Sequence, residues 1–156
     1  MTSHRIALLA PILLLTILGC PTSGVRAIGG APANVRTNPG TTGYSIAYID
    51  AVPTPGTALV LGENVAFSVT VEYRLEIAER GDIVLVFQGE SDKILIHGRS
   101  QATLQVERGS GQVTLSDTLT LPPDVREVHL YVTLLPEGLV RSAGTILITY
   151  PVRKGP

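Results

Sequence analysis

Apolar and polar residues alternate most regularly over residues 64–78, NVAFSVTVEYRLEIA. Val65, Phe67, Val69, Val71, Tyr73, Leu75 and Ile77 share one parity, and Asn64, Ser68, Thr70, Glu72, Arg74 and Glu76 share the other. Side chains of a strand point alternately to its two faces, so the pattern sets an apolar face opposite a polar one. At helical spacing the same apolar residues spread around the whole cylinder. A long, half-buried strand is predicted, rich in the β-branched and aromatic side chains that suit a pleated surface.

Shorter segments read as its partners. Residues 44–52, YSIAYIDAV, alternate poorly, as in an edge strand or one that changes sheets. Residues 57–61 suit a short strand. Residues 82–88, DIVLVFQ, are apolar on both parities, as in a strand covered on both faces or touching a neighbouring loop. A short strand is expected at 93–97, and one at 101–107 with Ala102, Leu104 and Val106 inward. Residues 112–121 place Val113, Leu115, Leu119 and Leu121 on one side, with Asp117 on the same parity. An unpaired buried carboxylate is costly, so a bulge or bend is expected at Ser116-Asp117. Residues 127–135 set Val128, Leu130, Val132 and Leu134 inward and His129, Tyr131 and Thr133 outward. Residues 145–152 close the series, with Pro151 suited to an edge. Turn residues fall at 53–56, 62–63, 79–81, 89–92, 108–111 (a tight hairpin) and 136–138. Short strands separated by turns at intervals of about 8–12 residues predict an all-β antiparallel sandwich of about seven to nine strands over residues 43–153.

The N-terminus has a different pattern. A head with one Arg precedes IALLAPILLLTILG, an apolar run of 14 residues, and then Cys20. The run is short for a membrane span, which needs about 20 residues, and it has the form of an export signal. Residues 21–43, PTSGVRAIGGAPANVRTNPGTTG, lack apolar periodicity and read as a linker. Three segments are therefore expected: a signal at 1–19, Cys20 with a linker at 20–42, and a folded domain at 43–153.

Ile17-Leu18-Gly19 before Cys20 resembles a bacterial lipobox. The resemblance implies that Cys20 is acylated and becomes the mature N-terminus, so the protein is exported and held by lipid to a bacterial membrane, facing away from the cytoplasm. Each buried CH₂ contributes roughly 0.8 kcal/mol, and stable anchoring takes more than one chain. GENVAFSVTVEY and VHLYVTLLPEG, as second and penultimate strands, resemble immunoglobulin-like and fibronectin-type-III-like domains of bacterial surface proteins. The paired cysteines and central Trp of antibody domains are both missing, since the chain has one Cys and no Trp.

Charge narrows the function classes without selecting one. The net charge is −1, with 16% charged residues scattered along the chain and no basic run. No nucleic-acid partner is expected. No His has a second His or a Cys at metal spacing, so neither metal nor cofactor is expected. No G-x-S-x-G or H-E-x-x-H motif occurs. Ser110 has no identifiable base, and the loop acids Glu90 and Asp92 lack a calcium-loop signature. Arg80-Gly81-Asp82 resembles the tripeptide of integrin-binding adhesion proteins and is expected in an exposed turn. With His129 and Tyr131 on an outward strand face, these are the candidate contact residues. The expectation is a binding or structural module that contacts a protein or an envelope polymer, and not an enzyme. The alternative is an accessory subunit or an enzyme with a site built from loops.

Overall fold

The computed structural model describes residues 31–90 and 102–155. The order is β1 (Val35–Asn38), β2 (Tyr44–Val52), β3 (Leu59–Val60), β4 (Asn64–Gly89), β5 (Ala102–Thr120), β6 (Glu127–Pro136) and β7 (Gly144–Arg153). Every pairing is antiparallel except the two-residue parallel contact of β3 with β7. The segment that alternates best, 64–78, is the first part of a strand of 26 residues.

That strand folds back on itself. Its first leg pairs β2 on one side, from Tyr44↔Leu75 to Val52↔Ser68, and β5 on the other, from Asn64↔Thr120 to Leu75↔Gly109. Its second leg pairs β5 from Arg80↔Glu107 to Leu85↔Ala102, and β6 from Gly81↔Pro136 to Gly89↔Val128. One layer is therefore β2, the first leg of β4 and the second leg of β5. The other runs β5, β4, β6, β7, β1. Strands that pass from one layer to the other through bends form the corners of such sandwiches. Phe67 and Phe87 each lie ten residues from Ile77. Their rings meet across the core, tilted by 55° at 4.9 Å between centroids, and Tyr150 closes edge-on on Phe67 at 5.3 Å.

The corner has its own chemistry. Between Leu75 and Arg80 the register shifts, so residues 76–79 of β4 bulge against Arg108 alone on β5. An Arg108 Nη donates to the Ile77 carbonyl oxygen at 2.7 Å and lies 2.9 Å from a Glu79 carboxylate oxygen. Gly109, at φ +133°, turns the backbone there without the penalty a side chain would bring.

Between the layers, odd-numbered residues of β4 form the core. Phe67, Val69, Val71, Leu75, Ile83, Leu85 and Phe87 are essentially inaccessible, as are Val128, Leu130, Val132 and Leu134 of β6. Burying each such side chain contributes about 1.5–3 kcal/mol.

The corner overturns several expectations. Ile77 keeps the apolar parity but is 59% exposed, because it sits on the outside of the fold-back. Residues 79–81 and 108–111 are not turns; both lie within β4 and β5. Ser110 pairs with Arg74 instead of occupying a loop. No bulge occurs at Ser116-Asp117: Phe67↔Asp117 and Ser68↔Ser116 are in continuous register. No second strand flanks this stretch of β5 among the described residues. Asp117 is accordingly only half-buried, and its Oδ1 accepts from the Thr118 amide at 2.7 Å. Leu104, expected inward, is 40% exposed. Pro151 is not on an edge strand, since β7 lies between β6 and β1. β1 lies inside the segment read as linker, with Val35 buried in the core. The expected strand at 93–97, the signal segment and Cys20 lie outside the described residues.

Candidate functional site

The five-stranded layer has an outer face as well as a core face. The even residues of β4 lie on it. Register across β6 and β7 gives Asp82↔Leu135, then Val84↔Thr133↔Thr145, then Val86↔Tyr131↔Leu147, then Gln88↔His129↔Thr149. Arg36 of β1 stands opposite Leu147 at the far side. Neighbouring strands are about 4.7–4.9 Å apart and alternate residues about 6.6 Å along a strand. These side chains therefore form one continuous grid. Val84, Val86, Tyr131 and Leu147 make its half-buried centre, bordered by threonines. This explains why residues 82–88 are apolar on both parities.

One end of the grid carries charge. Arg80 and Asp82 share a parity and emerge on the outer face, whereas Gly81 points inward and is buried. A Cβ on Gly81 would meet the Leu135 carbonyl oxygen at 3.1 Å and the Pro136 Cα at 3.2 Å, so the residue is set by the close approach of β6. Glu137 folds over this end: its amide donates to the Arg80 carbonyl at 2.8 Å, and its carboxylate lies 3.5 Å from Arg80 Nε. Arg80, Asp82, Gln105, Leu135, Glu137 and Leu139 line a shallow open groove of about 330 Å³. The Arg-Gly-Asp tripeptide thus lies in a paired strand with its Arg beside a carboxylate.

The other end carries His129. Its Nε2 lies 3.1 Å from a Glu127 carboxylate oxygen, and its ring meets Tyr131 edge-on at 6.4 Å. His129 Nδ1 is buried with no hydrogen-bond partner among the described residues. No cluster of three or more His, Cys, Asp or Glu converges among the described residues.

The structure brings together what the sequence kept apart. Arg80, Asp82, Tyr131 and His129 belong to one face, while Gly81 belongs to the core beneath it. Val84, Val86 and Leu147 were missed as contact residues, although the double parity of DIVLVFQ was the signal for the two valines. Gln105 and Glu137 were also missed; only register places them beside Arg80. Of the two loop acids, Glu90 is exposed at the end of β4, and Asp92 lies outside the described residues.

No protein-family model matches the chain, and no curated protein matches it in sequence. Among solved structures, the chain is similar to the C-terminal domain of wzt over 80% of this chain and 81% of that one, at a TM-score of 0.47 and 14% identity. It is also similar to the apo-form Calx CBD1 domain over 78% of this chain and 98% of that one, at a TM-score of 0.31 and 14% identity.

Proposed function

We propose that the chain is a lipid-anchored, extracytoplasmic module of a bacterial envelope that binds a protein or an envelope polymer and acts by contact rather than turnover. The observation that carries this reading is the single outer face running from Arg80 and Asp82 through Tyr131 to His129. A half-buried aliphatic and aromatic centre with a polar border is the usual anatomy of a contact surface, and Tyr is enriched in such surfaces. The side chains stand on hydrogen-bonded strands, so they are ordered before a partner arrives and lose little freedom on binding. The anchor rests on the lone Cys20 directly after the apolar run.

The reading is tested at the anchor and at the outer face. Cys20→Ala should move the mature protein from the membrane to the soluble fraction or block its maturation; unchanged detergent partitioning, with no acyl mass on the N-terminal peptide, refutes the anchor. A photo-crosslinking residue at Tyr131 in intact cells should capture a discrete partner, and one at Ala47 on the opposite layer should not. With that partner purified, Tyr131→Ala should weaken binding by about 2 kcal/mol or more while the unfolding transition stays in place. A domain that turns over a substrate, and stops doing so when His129 is replaced, overturns the contact reading.

A further inference from the structure

The sheet edges of this fold are not treated alike. β1 has 4 residues and β3 has 2, too short to template another chain. The edge of β2 is broken by a register shift between Tyr48 and Asp50. Short edges and bulges are the usual ways to prevent edge-to-edge pairing. β5 has neither over its second leg. It runs 19 residues as ATLQVERGSGQVTLSDTLT with no Pro and no Lys, and pairs β4 without a register shift from Gly109 to Thr120. No strand of the described residues pairs with its other side. Its outward side chains, from Ser110 through Thr114 to Thr120, are hydroxyls and one amide. They already form a ladder with β4: Thr114 Oγ1 to Thr70 Oγ1 at 2.9 Å, Ser116 Oγ to Ser68 Oγ at 3.2 Å, and Thr120 Oγ1 to Asn64 Oδ1 at 3.2 Å.

We propose that the outer backbone edge of residues 108–120 pairs with the same edge of a second copy of this chain, antiparallel about a two-fold axis at Thr114. The leg is self-complementary in that register. Arg108 falls opposite Thr120, so the corner ends the pairing where the partner leg ends. Val113 falls opposite Leu115, which sets apolar against apolar on the core side. Thr114 meets its own counterpart and Gln112 meets Ser116, which continues the ladder of hydroxyls on the outer side. Asp117 falls opposite Gly111, whose missing side chain leaves its carboxylate room. No like charges oppose one another. A two-fold contact of this kind closes on itself and stops at a dimer, whereas an edge recruiting strands without symmetry grows into fibres.

Antiparallel pairing points the chain-end poles of the two copies in opposite directions along a leg of about 40 Å. The 14 residues from Pro21 to Asn34 span up to about 48 Å fully extended, so the proposed anchors can still share one membrane.

Crosslinking the full-length chain in intact cells tests the pairing. Thr114→Cys treated with a short bismaleimide should give a band at twice the mass of the mature monomer. The wild-type chain, which carries Cys20 alone, should not, and neither should Ala47→Cys on the β2 edge. In detergent, light scattering should report two chains per particle for the wild type. Thr114→Lys, which sets two cations together at the axis, should report one with the β-type circular dichroism unchanged. A wild-type monomer at 100 µM, or a Thr114→Cys chain that links to a different protein and not to itself, overturns the proposal. If Thr114→Lys loses its β signal, the crosslink alone decides.

Discussion

At the scale of single residues, alternation predicts burial wherever both neighbours of a residue are paired strands. Phe67 and Ser68 are the test pair. Phe67 sits among Phe87 and Tyr150, and its removal leaves a cavity between the layers. Phe67→Ala should cost about 3–5 kcal/mol. Ser68→Ala loses one hydroxyl contact on a wet face and should stay within about 0.5 kcal/mol. Urea denaturation of the purified variants checks both; a larger loss for Ser68→Ala would reverse the assignment of faces. Tyr150 adds a dependence on pH. It is fully buried, and its hydroxyl donates to the Pro53 carbonyl at 2.9 Å. Burial raises its pKa above the ordinary 10.0, with Tyr48 and Asp50 adding to the shift. Below about pH 10 the phenol is protonated in both states and contributes no slope. Above it the unfolded chain loses the proton first, so stability falls as pH rises. Tyr150→Phe should cost about 0.5–1.5 kcal/mol at neutral pH, from the lost hydrogen bond, and flatten the alkaline decline. A denaturation midpoint with the same alkaline slope in both proteins would exclude Tyr150 as its source.

At the scale of elements, β4 shows where a sequence pattern stops being informative. Glu79-Arg80-Gly81 and Arg108-Gly109-Ser110-Gly111 have the residues of turns. Turn residues report local backbone freedom, and a corner between two layers demands the same freedom without ending either strand. Parity also survives the corner, so Ile77 reads as core although it faces water. Gly81 looks like a turn glycine, yet its role is the approach of Leu135 and Pro136 to β4. Gly81→Ala should therefore cost about 1–3 kcal/mol as overpacking and should loosen Glu137 over Arg80. Comparable stability of Gly81→Ala and the wild type in denaturant would mean that β6 yields at no cost. The first leg of β4, the second leg of β5, β6 and β7 were legible from a two-residue period and β2 and β3 from the turns that flank them, but β4 and β5 were each read as two strands parted by a turn. The outer face was legible only in pieces. Asp82 is far in the chain from His129 and Tyr131, and no period reveals that β4 and β6 are neighbours.

At the scale of the whole molecule, the boundary of the folded unit follows from β1. Residues 35–38 lack a useful pattern, since only Val35 is apolar, and their neighbours are the Gly, Pro and Asn of a linker. Yet Val35 fills the core and β1 covers the open side of β7 from Ile148 to Thr145. The join is extended by the Thr149 amide, which donates to the Asn34 carbonyl at 3.0 Å, and by the Ile46 amide, which donates to the Pro39 carbonyl at 3.0 Å. The second of these ties the loop after β1 to β2 in the opposite layer. A chain beginning at Ala31 should therefore keep one cooperative transition. A chain beginning at Gly43 loses the burial of Val35, about 1.5–3 kcal/mol, and several hydrogen bonds at about 0.5–1.5 kcal/mol each. A single domain has only about 5–15 kcal/mol of stability, so the shorter chain should be severely destabilised. It also uncovers the edge of β7, and exposed edges pair with other chains; light scattering should show it associating as it unfolds, where the chain from Ala31 does not. Equal denaturation midpoints for the two chains would return β1 to the linker and restore Gly43 as the start of the fold.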